Sequence, residues 1–76
     1  MPRGLQPNPY TKLRDLLSRA RDDAGLKQAQ VAALLNRPQS FVSKYENGER
    51  QLDVIEFIDV CKAIGVSPAA LIAQLY

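Results

Sequence analysis

The chain has 76 residues, 46% hydrophobic and 24% charged, a composition that suits one small globular domain and leaves too little material for a second core. No apolar run approaches a membrane span, and the opening MPRGLQPNPY lacks the apolar segment of a signal peptide, so the expectation is a cytoplasmic protein. With no histidine, no glycine-rich phosphate loop, no metal-ligand cluster and no serine beside a plausible base, the sequence argues against an enzyme, a metal site or a cofactor.

The formal charge of +2 is spread unevenly: residues 1–50 hold nine Lys/Arg against five Asp/Glu, and residues 51–76 hold one against three. That polarity fits a DNA-facing N-terminal part and a C-terminal part with another job, although a small protein can split this way by chance. The lone Cys61 sits among apolar neighbours, has no partner for an internal disulfide, and reads as a small buried hydrophobe.

Residues 1–8 read as a leader ahead of the first helix; Arg3 alone makes a poor DNA-wrapping arm. Asn8 and Pro9 then form a helix start, asparagine as cap and proline in the first position. Helix 1 is predicted to run to about Ala24, with Leu13, Leu16, Leu17, Ala20 and Ala24 on one side and Gly25 ending it in a left-handed conformation. A second, short helix is predicted over 28–35, with Val31, Leu34 and Leu35 on its apolar side. Asn36 stops it, because asparagine tolerates a left-handed backbone, and Pro38 both bars continuation and opens helix 3, expected over 38–46.

In helix 3, Val42 and Tyr45 share an inward face, while Gln39, Ser40, Ser43, Lys44 and Asn47 share another that is polar, mostly short and carries a single charge. Such a face suits the floor of a DNA major groove, where glutamine pairs with adenine, lysine with guanine and serine with either. The periodicity by itself does not separate that reading from an ordinary solvated face. Phe41 could touch a thymine methyl or sugar, or fold back onto the core; the second is favoured.

After Gly48, Asp53 with Glu56 three residues on forms a capping-box pattern, and Leu52 can staple onto Phe57. Val54, Phe57, Ile58, Cys61 and Ile64 form the expected inward stripe of helix 4, with Gly65 past its end. Val66, Ser67, Pro68 and Leu71 repeat the device for helix 5, which is expected to reach about Leu75. Ile55, Val60, Ile72, Leu75 and Tyr76 lie off or beside the main stripe and are the candidate homodimer surface, although scattered exposed aliphatics are common on small helical proteins. The fold expected is all-α, a compact five-helix domain over 1–76 in which helices 2 and 3 form a helix-turn-helix.

The stretch AGLKQAQVAALLNRPQSFVSKYENGER resembles the helix-turn-helix of the lambda-repressor-like, or Cro/repressor-type (xenobiotic-response-element), family of bacterial and phage regulators. The likeness runs from about Tyr10 to Leu75 and rests on the Gly-Leu before helix 2, Gln28 opening it, Ala32 at the helix crossing, Val42 and Tyr45 facing inward, and the closing Glu46-Asn47-Gly48. Three positions depart: Lys27 stands for the usual Ser/Thr cap, Asn36 for the turn glycine, and Arg37 for a commonly aliphatic residue.

The resemblance implies a two-fold homodimer on an inverted-repeat operator of double-stranded DNA, one recognition helix per subunit in successive major grooves. Gln39, Ser40, Ser43 and Lys44 would read base edges. Gln28 and Asn47, with nearby backbone amides, would grip phosphates, and Arg50 and Arg37 would add charge contacts. It further implies an ion pair between Arg21 and Glu46 that ties helix 1 to the recognition helix. The expected function is sequence-specific DNA binding as a transcriptional regulator of repressor type. The rival class is a protein-binding module of the same fold, such as an antitoxin or regulatory partner. A protein-docking face would be richer in exposed aromatic and aliphatic anchors than Gln39, Ser40, Ser43 and Lys44 provide.

Overall fold

The computed structural model describes residues 8–75, which form five helices and no strand: α1 (Pro9–Asp23), α2 (Gln28–Leu35), α3 (Gln39–Asn47), α4 (Val54–Ile64) and α5 (Pro68–Ala73). The expected contributions of residues 1–7 and of Tyr76 lie outside the described residues. None of the described helices is long and apolar enough to cross a membrane.

Each start is written in local chemistry. The Asn8 side chain accepts from the Tyr10 amide at 2.8 Å ahead of Pro9. Asp53 and Glu56 complete a capping box, with Asp53 Oδ1 accepting from the Glu56 amide at 2.7 Å and Glu56 Oε1 from the Asp53 amide at 3.1 Å. Ser67 Oγ accepts from the Ala70 amide at 3.2 Å. At Lys27, where a hydroxyl cap is lacking, the Gln30 side chain still reaches back to accept from the Lys27 amide at 2.7 Å. Pro38 departs from expectation: with φ −65° and ψ 153° it is the extended cap of α3 and not its first helical residue, and its carbonyl accepts from the Phe41 amide at 3.0 Å.

The ends of the first four helices share one device. A residue with positive φ follows the helix at Gly25, Asn36, Gly48 and Gly65. The next amide then bonds back five residues: Leu26 to Arg21, Arg37 to Ala32, Glu49 to Lys44 and Val66 to Cys61, at 2.9–3.1 Å. Asn36, at φ 56° and ψ 44°, fills this place without being glycine, the mild substitution its short polar side chain allows.

These stops turn the helices around one core: Leu17 of α1, Val31 and Ala32 of α2, Phe41, Val42 and Tyr45 of α3, Phe57, Val60, Cys61 and Ile64 of α4, and Leu71 of α5. Burial pushes the Cys61 thiol up to about 11, which leaves it an uncharged core residue. Leu13, Leu16, Ala20, Leu52 and Val66 pack at the margin.

The expected stripes shift in four places. Leu34 is exposed, because Val31 and Ala32 take the inward face of α2. In α4 the buried set is Phe57, Val60, Cys61 and Ile64, at i, i+3, i+4 and i+7; Val54 is 72% exposed in a first turn that other helices do not cover. Val60, expected at a dimer surface, has no exposed area. Ala24, past the end of α1, is exposed.

Candidate nucleic-acid interface

The exposed side of α3 presents Gln39, Ser40, Lys44 and Asn47 to solvent, with Ser43 half-buried among them. Little holds these side chains in place. Ser43 Oγ donates to the Ser40 carbonyl at 3.3 Å, and Asn47 Oδ1 accepts from the Glu49 amide at 3.0 Å, while the Asn47 amide nitrogen has no hydrogen-bond partner among the described residues. Among the described residues Gln39 and Lys44 form no side-chain hydrogen bond or ion pair within the chain, so their donors are available to a ligand.

The opposite side of α3 anchors it. Tyr45 is 1% exposed, and its ring meets Phe41 edge-on with centroids 5.5 Å apart. Burial, reinforced by the Glu46 charge and opposed by Arg21, holds the Tyr45 phenol well above the usual tyrosine range. Its hydroxyl finds no hydrogen-bond partner among the described residues.

The C-terminal end of α3 meets α1 and α2 through a carboxylate. Arg21 Nε donates to Glu46 Oε2 at 2.7 Å and an Arg21 terminal nitrogen to Glu46 Oε1 at 3.0 Å, a bidentate pair whose side chains are only 12% and 8% exposed. The other terminal nitrogen of Arg21 donates to the Leu26 carbonyl at 2.9 Å, fixing the loop before α2. Gln28 joins the junction, its Nε2 donating to Glu46 Oε1 at 3.0 Å. One Gln28 amide hydrogen is therefore used within the protein, and the second remains to donate to a phosphate.

The expected phosphate contacts Arg37 and Arg50 are also engaged internally. Arg50 donates to both Glu56 oxygens, at 2.8 and 2.7 Å, and to the Gln51 carbonyl at 3.0 Å. Arg37 donates to Glu56 Oε2 at 3.3 Å. Both guanidinium groups lie over the Phe41 ring, at 4.5 Å for Arg37 and 4.7 Å for Arg50. Phe41 is accordingly buried. The Arg50 hydrogen bonds and the Asp53 amide hold the Glu56 carboxyl at about 2, well below its ordinary value.

The sequence reading did not anticipate this cluster, because Arg37 precedes the extended cap Pro38 and its approach to Phe41 follows from the turn and not from helical spacing. It also missed Arg14, whose guanidinium carbon lies 3.0 Å from where a side chain on Gly48 would begin. Of the candidate dimer residues, Ile55 and Ile72 are exposed and Leu75 is half-buried.

A five-helix domain with a short helix, a left-handed turn and a second helix presenting an unpartnered polar face is a helix-turn-helix protein. The profile of the helix-turn-helix family matches residues 17–71, and the chain belongs to that family, in its Cro/repressor-type (XRE) branch. It is similar to an XRE-family-like protein from Pseudomonas syringae pv. tomato, with 58% identity, a TM-score of 0.86, and coverage of 88% of this chain and 82% of that one. The clp gene regulator ClgR from C. glutamicum shares the fold at 23% identity and a TM-score of 0.82, covering 92% and 91%. The restriction-modification controller protein C.AhdI from Aeromonas hydrophila matches at 26% identity and a TM-score of 0.75, covering 82% and 94%. No functionally curated protein matches the sequence. Family and fold place the chain among non-enzymatic DNA-binding regulators.

Proposed function

We propose that the chain acts as a single helix-turn-helix domain that binds a specific double-stranded DNA operator as a homodimer and represses transcription there. The observation that carries this reading is the side of α3 bearing Gln39, Ser40, Ser43 and Lys44. It is polar, carries a single charge and is nearly free of internal bonds, while the opposite side is locked into the core. The donors and acceptors of these four side chains match base edges in the major groove.

Gln28 and Asn47 flank that face and orient the helix on phosphates, which carry position and not sequence. Arg37 and Arg50 supply positive charge beside the backbone. The second copy docks through exposed aliphatics of α4 and α5, Ile55 and Ile72, which are 67% and 40% exposed, with the half-buried Leu75. Val60 takes no part, since the core already holds it. A regulator of this kind works in the cytoplasm, on bacterial or phage DNA.

Selection from a random duplex library at near-physiological salt tests class and assembly together. The expected result is an enriched inverted repeat with half-site centres about 10 bp apart or a helical multiple of it. Weak, salt-sensitive retention of all sequences without enrichment would instead favour a protein-binding module.

A further inference from the structure

The exposed rim of α3 carries a charge arrangement that its base-reading face does not explain. At about 100° per residue, Phe41 in the first turn of α3 falls on the flank next to Lys44, and Arg37, ahead of the extended cap Pro38, reaches that flank by lying over the Phe41 ring. Arg37 lies 4.5 Å above the Phe41 ring, and the one side-chain hydrogen bond it makes among the described residues is the 3.3 Å contact to Glu56 Oε2. The side chain is 44% exposed. Arg50, on the same ring, is held by three shorter hydrogen bonds, two of them to the same Glu56 carboxylate. Glu56 is committed by its capping-box bond to the Asp53 amide and cannot follow either arginine. Asp59 lines the same small concavity with Leu35, Arg37, Phe41 and Glu56, adding a second negative charge and no hydrogen bond to Arg37.

We propose that Glu56 is a built-in competitor for DNA phosphate: it parks Arg37 on Phe41 in the free protein, and a phosphate beside Lys44 takes the guanidinium from it, while Arg50 stays on Glu56 as the anchor. This deepens, and rests on, the reading of α3 as a groove-binding helix. The geometry favours Arg37 as the arm on three counts. Its bond to Glu56 is the longest in the cluster; its exposure is the greatest; and the Phe41 ring lets the guanidinium slide without leaving a supporting surface. An ionic contact this exposed is easily exchanged, because water and salt already screen it. The consequence is a ceiling on affinity for non-cognate DNA, where charge contacts supply nearly all the binding.

The test compares wild type, Glu56→Gln, Arg37→Gln and the double variant on a short random-sequence duplex, titrated at several salt concentrations. Glutamine preserves the capping-box acceptor while removing the charge, and a thermal melt of each variant reports folding. Glu56→Gln is expected to bind roughly three- to fivefold tighter at low salt. Its plot of log affinity against log salt should keep nearly the wild-type slope, because Arg37 reaches the phosphate in both complexes. In the Arg37→Gln background most of that gain disappears. Unchanged affinity in Glu56→Gln overturns the inference, as does an equal gain in both backgrounds, which would be a general effect of charge. Should Glu56→Gln melt too early to assay, the wild-type arginine Nε–H resonances give the same answer. The Arg37 signal is expected to shift on adding duplex while the Arg50 signal holds; a stationary Arg37 signal overturns the proposal. Wild type that retains no duplex at all removes the DNA reading itself, whereas wild type that binds with Glu56→Gln unaltered removes only the competitor.

Discussion

Two arginine–carboxylate clusters tie the recognition helix and its flanking residues to the body of the protein, one covered and one open to solvent. At the C-terminal end Arg21 and Glu46 are 12% and 8% exposed, and Gln28 and the Leu26 carbonyl complete the shell. On the α4 side Glu56 is covered, at 13% exposed, yet Arg50 and Arg37 stand 35% and 44% open. The covered bidentate pair is a fixed joint, whereas the single open contact of Arg37 is exchangeable. The buried joint sets the angle of α3 to α1 and α2. The exposed one sets how much positive charge the rim shows.

Breaking the buried joint should have the largest effect. Arg21→Ala leaves Glu46 and the Gln28 amide in a covered site with the charge unmatched, and is expected to cost about 3 kcal/mol in urea unfolding. A double-mutant cycle with Glu46→Ala should show coupling of at least ~1 kcal/mol. Additive losses would mean that the two side chains act independently.

Gly48→Ala comes next. The residue has φ 88°, and a methyl group there would meet the Arg14 guanidinium at 3.0 Å. Strain and displacement together should cost about 1 kcal/mol or more. Combining it with Arg14→Ala relieves the contact but not the backbone, so a partial rescue is expected. Full recovery would show that φ hardly matters here.

The exposed tie is best sharpened through pH. Glu56 is held at about 2 in the folded protein against an ordinary 4.5. Because the folded value is depressed, the stabilisation is present above about 4.5 and lost as pH falls toward about 2. The stability difference between wild type and Glu56→Gln should therefore shrink across that window, and a difference that stays constant from neutral pH to pH 2 would contradict the pairing. Tyr45→Phe is the smallest expected change. The lost hydroxyl has no partner among the described residues, so stability should hold or rise slightly. A clear loss in the melt would reveal a hydrogen bond in solution.

Much of this was legible in the sequence because it is local. Caps at Asn8, Asp53 and Ser67 and stops at Gly25, Asn36, Gly48 and Gly65 each depend on neighbours within five residues, and they delimit the helices within a residue or two. What periodicity could not supply was coverage. Val54 and Phe57 lie on one face of α4, but only Phe57 is roofed by other helices; Val60, read as peripheral, is at the centre. The polar face of α3 was readable from spacing, whereas the engagement of Gln28, Arg37 and Arg50 by carboxylates was not. Those bonds join residues from 6 to 19 positions apart, and their partners are set by helix packing.

The central claim is that α3 reads bases through its short polar face, and its most direct test is to repeat the duplex-library selection with Lys44→Ala. The expected outcome is the wild-type inverted repeat with the preference erased at one base pair of each half-site and kept elsewhere. A selected sequence identical to wild type, or a uniform loss at every position, would contradict the assignment of Lys44 to the reading face.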